Sequence, residues 1–333
     1  MEGNGRKRVA IACQGGGSHT AFTAGALKRL LGDDRYEVVG LSGTSGGAIC
    51  ALLAWCGLLG EGGNGTPNGA AGLLDSFWQA NSASAPYDRF WNDWIVWVNR
   101  LQGSVYAPAV SPYSTPLAYW GQQRLRSMLE ELVAFDEIQT PSQDSGPMLL
   151  VGAVDVCSGE FRAFNSRRDR IGADTILAST ALPTLFRAVR AGDGVFWDGL
   201  FSQNPPVREL TEARPDEIWV IQIDPERRAE EPKSMVDILD RRNELAGNLS
   251  LHQEIHFIEK INDLIDKLGE GESPEDKRLR IPGEGGKEYR HIKVCRIEML
   301  KELDFASKLD RSPSFIRGLM EYGEERAGEF LRS

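Results

Sequence analysis

Ser45 lies in Gly43-Thr44-Ser45-Gly46-Gly47, which fits Gly-x-Ser-x-Gly. A serine flanked in this way can stand on a strained strand-to-helix turn, where side chains two residues to either side would clash. Such a turn lifts the hydroxyl above a sheet and aims it at a helix N-terminus, whose dipole favours developing negative charge. The chemistry predicted is nucleophilic attack on a carbonyl. The same pattern occurs in glycine turns that bind phosphate or merely connect, so it requires a strand before it and a helix after it. Residues 36–41 read as that strand and residues 48–55 as that helix.

Two further groups could serve such a nucleophile. Gly15, Gly16 and Gly17 follow a short apolar run. Consecutive glycines let backbone N–H groups converge on an oxyanion, and each well-placed donor is worth roughly 3–4 kcal/mol in the transition state. A nucleotide loop is disfavoured, because neither the Gly-Lys-Ser/Thr ending nor the Gly-x-Gly-x-x-Gly spacing is present. Asp198-Gly199 follows a short strand pattern. The aspartate could point into a site or simply cap a turn, and local sequence does not decide between them. A Ser-His-Asp triad in the order Ser, acid, His needs a histidine after the acid. Only His252, His256 and His291 qualify, the first two within a long helical pattern and the third opening a strand. His252 and His256 are four residues apart, a spacing that can hold a metal, but no third ligand is evident. Direct activation of the serine by an aspartate becomes plausible.

The elements that must position these residues alternate. Strand 8–13, glycine turn and helix 21–31 are followed by strand 36–41, glycine turn and helix 48–55. Two successive strand–turn–helix units predict an α/β fold with a parallel sheet. Residues 57–72 read as a surface loop, 122–133 and 174–180 as helices, and 148–156, 160–164, 195–197 and 217–224 as strands. Residues 235–268 read as one or two long helices, 269–286 as a loop, 292–297 as a strand and 314–331 as a helix. Phe90, Trp91, Trp94, Ile95, Val98 and Leu101 recur at helical spacing. This aromatic stripe could be a lid or a docking face for an interface, but stripes of this kind usually face a core, and core packing is the expectation here. No linker is evident. The expected organisation is a catalytic core over 1–230 with a C-terminal extension over 231–333 packed on it, as one continuous domain.

The chain has 333 residues, 41% of them hydrophobic, enough for a large core. Its formal net charge of -10 argues against nucleic acid as a partner. Five cysteines at irregular spacing suggest neither a disulfide framework nor a zinc site. Reduced thiols in a cytoplasmic protein are the expectation. The apolar run 9–13 is too short for a signal-peptide core, and no stretch is long enough to span a bilayer.

With these motifs in order, the sequence resembles the patatin-like phospholipase family. The resemblance rests on Gly15-Gly16-Gly17, Gly43-Thr44-Ser45-Gly46-Gly47 and Asp198-Gly199, with Ala178-Ser179-Thr180-Ala181-Leu182-Pro183 and Asn204-Pro205-Pro206 in support. It covers roughly residues 8–224, and the later part looks like an extension carried by some bacterial members. The resemblance implies a three-layer α/β/α fold with a mainly parallel central sheet and helical C-terminal additions. It implies a Ser–Asp dyad, with Ser45 as nucleophile, Asp198 as general base and the amides of Gly15, Gly16 and Gly17 as oxyanion hole. Gly46 and His19 would lie beside this site. The activity implied is hydrolysis of phospholipid or lysophospholipid esters through an acyl-enzyme, with no metal or other cofactor. Acylglycerols or an intracellular storage polyester are alternative substrates, and a catalytically silent lipid-binding protein is the non-enzyme alternative. The partner is a lipid or acyl-ester substrate, with room for peripheral membrane contact. Where the family usually has a basic residue and then glycine, this sequence has His19 and Thr20, which removes a fixed charge and adds bulk near the oxyanion.

Overall fold

The computed structural model describes residues 6–60, 65–102, 110–138, 146–271, 277–280 and 288–333. Its first two units are β1 (Lys7–Cys13) with α1 (Thr20–Leu31), and β2 (Tyr36–Thr44) with α2 (Gly46–Leu59). Strand β2 runs three residues beyond the strand expected from sequence and ends directly against Ser45. Helices α3 (Pro67–Asn81), α4 (Pro86–Gln102) and α5 (Pro116–Leu132) follow. Each begins on proline, whose fixed φ and missing N–H suit the first helical turn. Residues 67–72, expected as loop, are already helical because Thr66 caps α3, its hydroxyl accepting from the Gly69 amide at 3.1 Å.

Strands β3 (Met148–Asp155) and β4 (Phe161–Asn165), helix α6 (Ala173–Ser179), and strands β5 (Val189–Ala191), β6 (Gly194–Asp198) and β7 (Glu217–Gln222) complete the middle of the chain. The C-terminal part holds α7 (Met235–Leu268), the hairpin β8 (Arg278–Arg280) and β9 (Glu288–Arg290), strand β10 (Lys293–Glu298) and α8 (Pro313–Phe330). Of the expected loop 269–286, residues 272–276 and 281–286 lie outside the described residues, and 278–280 form a strand.

The sheet order is β10-β7-β1-β2-β3-β6-β5, with β4 also on β3. The strands from β10 to β3 are parallel, while β4 and β6 run antiparallel to β3. Alternation along the strands feeds two cores. Val9, Ile11, Leu149, Val151, Trp219 and Ile221 face α1, α2, α3 and α8, whereas Ala10, Ala12, Met148, Leu150, Ile218 and Val220 face α7. The result is the expected three-layer sandwich. The C-terminal elements are built into it. β10 extends the parallel sheet at β7, and α8 lies on α1 so closely that a Cβ on Gly25 would strike the Met320 carbonyl and one on Gly323 the Phe22 carbonyl.

Helix α4 departs from expectation. Its inward residues are Asn92 and Val96, while Phe90, Trp91, Trp94, Ile95 and Trp97 face outward. The stripe is not core. Of the described aromatics on α3, α4 and α5, the buried ones are Phe77 and Trp78, both on α3. Along α7, Leu251, Ile255, Ile258 and Ile265 are buried, but Leu245, Leu249, Phe257, Leu264 and Leu268 are exposed.

Candidate active site

Ser45 occupies the junction between β2 and α2 with φ 57 and ψ -130, a left-handed conformation rare for a side-chain-bearing residue. Two contacts enforce it. A Cβ on Gly43 would strike the backbone of Gly47, and one on Gly47 would strike the Cys13 carbonyl, so both flanking glycines are sterically required. The Ser45 amide also donates to the Ser179 hydroxyl at 3.0 Å, and that hydroxyl donates to the Gly152 carbonyl at 2.6 Å. Ser179, at the end of α6, thus ties the turn to β3.

Asp198 reaches the same place from the opposite direction. β2 covers one edge of β3 as far as Thr44 opposite Gly152, and β4 occupies the other edge from Leu150 to Val154. The β2 edge beyond Gly152 is taken by β6, with Asp198 opposite Ala153. Two strands therefore approach end to end along one edge of β3, and their C-terminal ends carry Ser45 and Asp198. The Asp198 carboxylate is 2% exposed, accepts from the Leu200 amide at 2.9 Å, and lies within hydrogen-bonding reach of the Ser45 hydroxyl. Burial pushes its pKa from 3.8 up to about 7, against the lowering effect of the two hydrogen bonds.

The glycine run closes the third side. A Cβ on Gly15 would lie 2.5 Å from the Thr44 carbonyl oxygen and 2.7 Å from Ser45 Cβ. The Gly15 amide is not directed at an oxyanion, since it donates to Asn204 Oδ1 at 2.8 Å. Among the described residues the Gly16 and Gly17 amides carry no such bond, and Gly17 has φ 59. Those two amides are the free donors of the run. Thr20 sits beneath them, its hydroxyl donating to the Gly17 carbonyl at 2.7 Å and pressing against Gly46 at the start of α2.

His19 is not among the residues lining the cavity. Its ring is buried and hydrogen-bonds Ser307 Oγ at 2.7 Å. Burial, and then the charge of Lys308, lower its pKa to about 3, so it is neutral. A cationic residue does adjoin the glycine loop, but it is Lys308, in the 3-10 helix Phe305–Leu309, whose carbonyl abuts Gly17. Burial works against the Lys308 charge, but Asp224, Asp240 and Glu244 outweigh it and hold the ammonium above its ordinary value. The extension also reaches the loop through Asn248, which accepts from Gln14 at 3.0 Å, and through Gly247, which lies against Asn204. Ser179 and Asn204 entered the sequence reading only within supporting segments, and Ser307 and Lys308 were given no role, because what they touch is distant in the chain: Ser179, Asn204 and Ser307 hydrogen-bond partners 134, 189 and 288 residues away, and Lys308 meets Gly17 through its carbonyl. The histidines beyond Asp198 are elsewhere, with His252 pairing Glu226 at 2.9 Å and His256 exposed beside Glu259.

Ser45, Asp198, Gly16 and Gly17 share one cavity of about 470 Å³. Its apolar lining includes Ile49, Phe77, Trp78, Leu125, Met128 and Phe186. Chemically, the arrangement can pass the serine proton to a carboxylate while an apolar chain lies alongside.

A family model described as patatin-like phospholipase matches residues 11–211. A comparison with curated proteins found no match. Among solved structures, VipD from Legionella pneumophila is similar at 13% identity and a TM-score of 0.43, over 98% of this chain and 67% of that one. The heterodimeric ExoU–SpcU complex of the Pseudomonas aeruginosa type III secretion system is similar at 14% identity and a TM-score of 0.34, over 98% of this chain and 51% of that one.

Proposed function

Since the chain belongs to the patatin-like phospholipase family, we propose that it is a lipid acyl hydrolase that cleaves carboxylic esters through Ser45 and Asp198. The observation that carries this reading is the buried Asp198 carboxylate in hydrogen-bond reach of the Ser45 hydroxyl at one end of an apolar cavity. Ionised Asp198 accepts the proton as Ser45 Oγ bonds to the ester carbonyl carbon. The carbonyl oxygen becomes an oxyanion held by the Gly16 and Gly17 amides. On collapse, the C–O bond to the alcohol breaks, the alcohol leaves with the proton from Asp198, and an acyl-Ser45 remains. Water then attacks with Asp198 again as base, releasing the fatty acid and restoring the hydroxyl. A base whose pKa is about 7 suits this work, since about half of it is ionised at neutral pH and it holds a proton better than an ordinary carboxylate. Gly15 takes a different part from the one expected of it. Its amide is committed to Asn204, so it shapes the loop instead of binding the oxyanion.

The test is a substrate panel of phospholipids, lysophospholipids, acylglycerols and short-chain esters with wild type, Ser45→Ala and Asp198→Asn. Turnover by wild type, with losses of at least a thousandfold in both folded variants, supports the dyad. Retained turnover in Ser45→Ala, or no turnover and no labelling of wild type by a fluorophosphonate, would remove the enzymatic reading.

A further inference from the structure

Helix α4 is built inside out. Its inner side carries Val96 but is held mainly by polar pairs: the Arg311 amide donates to Asn92 Oδ1 at 2.8 Å, Asn92 donates to Asp310 at 3.2 Å, and Asp88 pairs with Arg311 at 2.9 Å. Its outer side carries aromatic rings in edge contact, Tyr87 with Trp91, Phe90 with Trp91, and Trp91 with Trp94. Helix α5 adds Leu117, Tyr119 and Trp120, all exposed. An amphipathic helix in water normally turns such residues inward, and an apolar surface of this extent marks a docking site.

Three observations identify what covers it. The face lies at the mouth of the candidate active site: Ile95 on α4 and Leu125 on α5 both line the cavity, and Trp91 is one helical turn from Ile95. The residues are mainly tryptophan and tyrosine, whose rings favour the boundary between headgroups and acyl chains. The charge of α4 also balances, with Asp88 and Asp93 against Arg89 and Arg100, in a chain of net charge -10. Asp88 and Arg100 are already paired, to Arg311 and Asp304. An acidic protein that met an anionic surface through an acidic face would be repelled, whereas this face can meet an uncharged one.

We propose that the outer face of α4 and the start of α5 form a docking surface for a zwitterionic phospholipid bilayer, seating the cavity mouth on the membrane so that an acyl chain passes from bilayer to Ser45 without crossing water. The proposal rests on the lipid-hydrolase reading, and the experiment separates the two. Ser45→Ala protein, which need not turn over, is floated with phosphatidylcholine vesicles, and tryptophan quenching by brominated acyl chains is read in parallel. The same is done with Trp91→Ser/Trp94→Ser added, substitutions at exposed positions whose folding is checked by thermal melting. The expected result is binding with acyl-chain quenching, weakened roughly tenfold or more in the double variant, with no gain from added phosphatidylserine and little salt dependence. Equal binding by both proteins, no binding by either, or a double variant that loses only a dimer by sedimentation overturns the proposal. Hydrolysis of a soluble short-chain ester by the otherwise wild-type double variant is expected to match wild type. Failure of wild type on that ester strikes the catalytic reading and leaves the vesicle result standing on its own.

Discussion

Replacing Asp198 by asparagine should make the protein more stable, and by an amount that grows with pH. The carboxyl is fully buried, and burial lifts its pKa from 3.8 to about 7. A folded-state pKa above the unfolded value means that the fold binds the proton more tightly than the unfolded chain does. Stability from this group is therefore fully present below about pH 3.8 and is lost as pH rises through about 7. At 1.36 kcal/mol per pH unit, the loss is about 2 kcal/mol at about pH 5.5 and levels off near 4 kcal/mol above about pH 8. Asparagine keeps the shape and an oxygen for the Leu200 amide but carries no charge at any of these pH values. Urea unfolding of wild type and Asp198→Asn at about pH 5.5 and pH 9 reads the difference directly, with the variant's advantage expected to be about 2 kcal/mol larger at the higher pH. An advantage that stays flat, or that shrinks towards pH 9, would refute the argument that Asp198 is held in a site hostile to its charge. The same variant should be inactive, so the residue would be retained at a cost to the fold.

The pH dependence of turnover has the complementary sign: because the base must be ionised, kcat/KM of wild type should rise with pH through about 7, and a profile already flat at pH 5 would exclude Asp198 as that base. Gly15→Ala places a Cβ against the Thr44 carbonyl and Ser45 Cβ, so turnover should fall a hundredfold or more. Gly16→Ala meets only the flexible end of Ile223 first, so in thermal melts it should be the milder of the two, and the reverse order would contradict the packing described. Ser179→Ala leaves the Ser45 amide and the Gly152 carbonyl without their shared partner, which should cost about 1–3 kcal/mol of stability and reduce kcat more than it raises KM. Ser307→Ala should lower kcat with KM little changed, since it frees His19 and with it the glycine loop, and steady-state kinetics on a soluble ester would show this.

The parts legible in the sequence were those whose cause is local. Each strand, glycine turn and helix of the first two units is written in consecutive residues, and so is the strain at Ser45. Asp198 was ambiguous from its own neighbours, because its meaning lies in where β6 ends along β3, a matter of register. The commitment of the Gly15 amide to Asn204 was hidden for the same reason: the acceptor is 189 residues away, on the far side of β6. The stripe on α4 misled expectation in a different way. Helical spacing of apolar residues identifies a face, but not which way the face turns, and here the polar pairs of Asn92 and Asp88 with residues 310 and 311 decide it.

The fastening of the glycine loop has a consequence for the order in which the protein becomes itself. Ser45 and its turn are translated early, yet Ser307, the Lys308 backbone that braces Gly17, and the helix that locks onto α1 through Gly25 and Gly323 all follow the whole patatin-like region. A chain emerging from the ribosome carries Ser45 through most of its synthesis before these contacts can form. A chain ended before residue 305 would therefore carry Ser45 beside a glycine loop that lacks the Ser307 and Lys308 contacts.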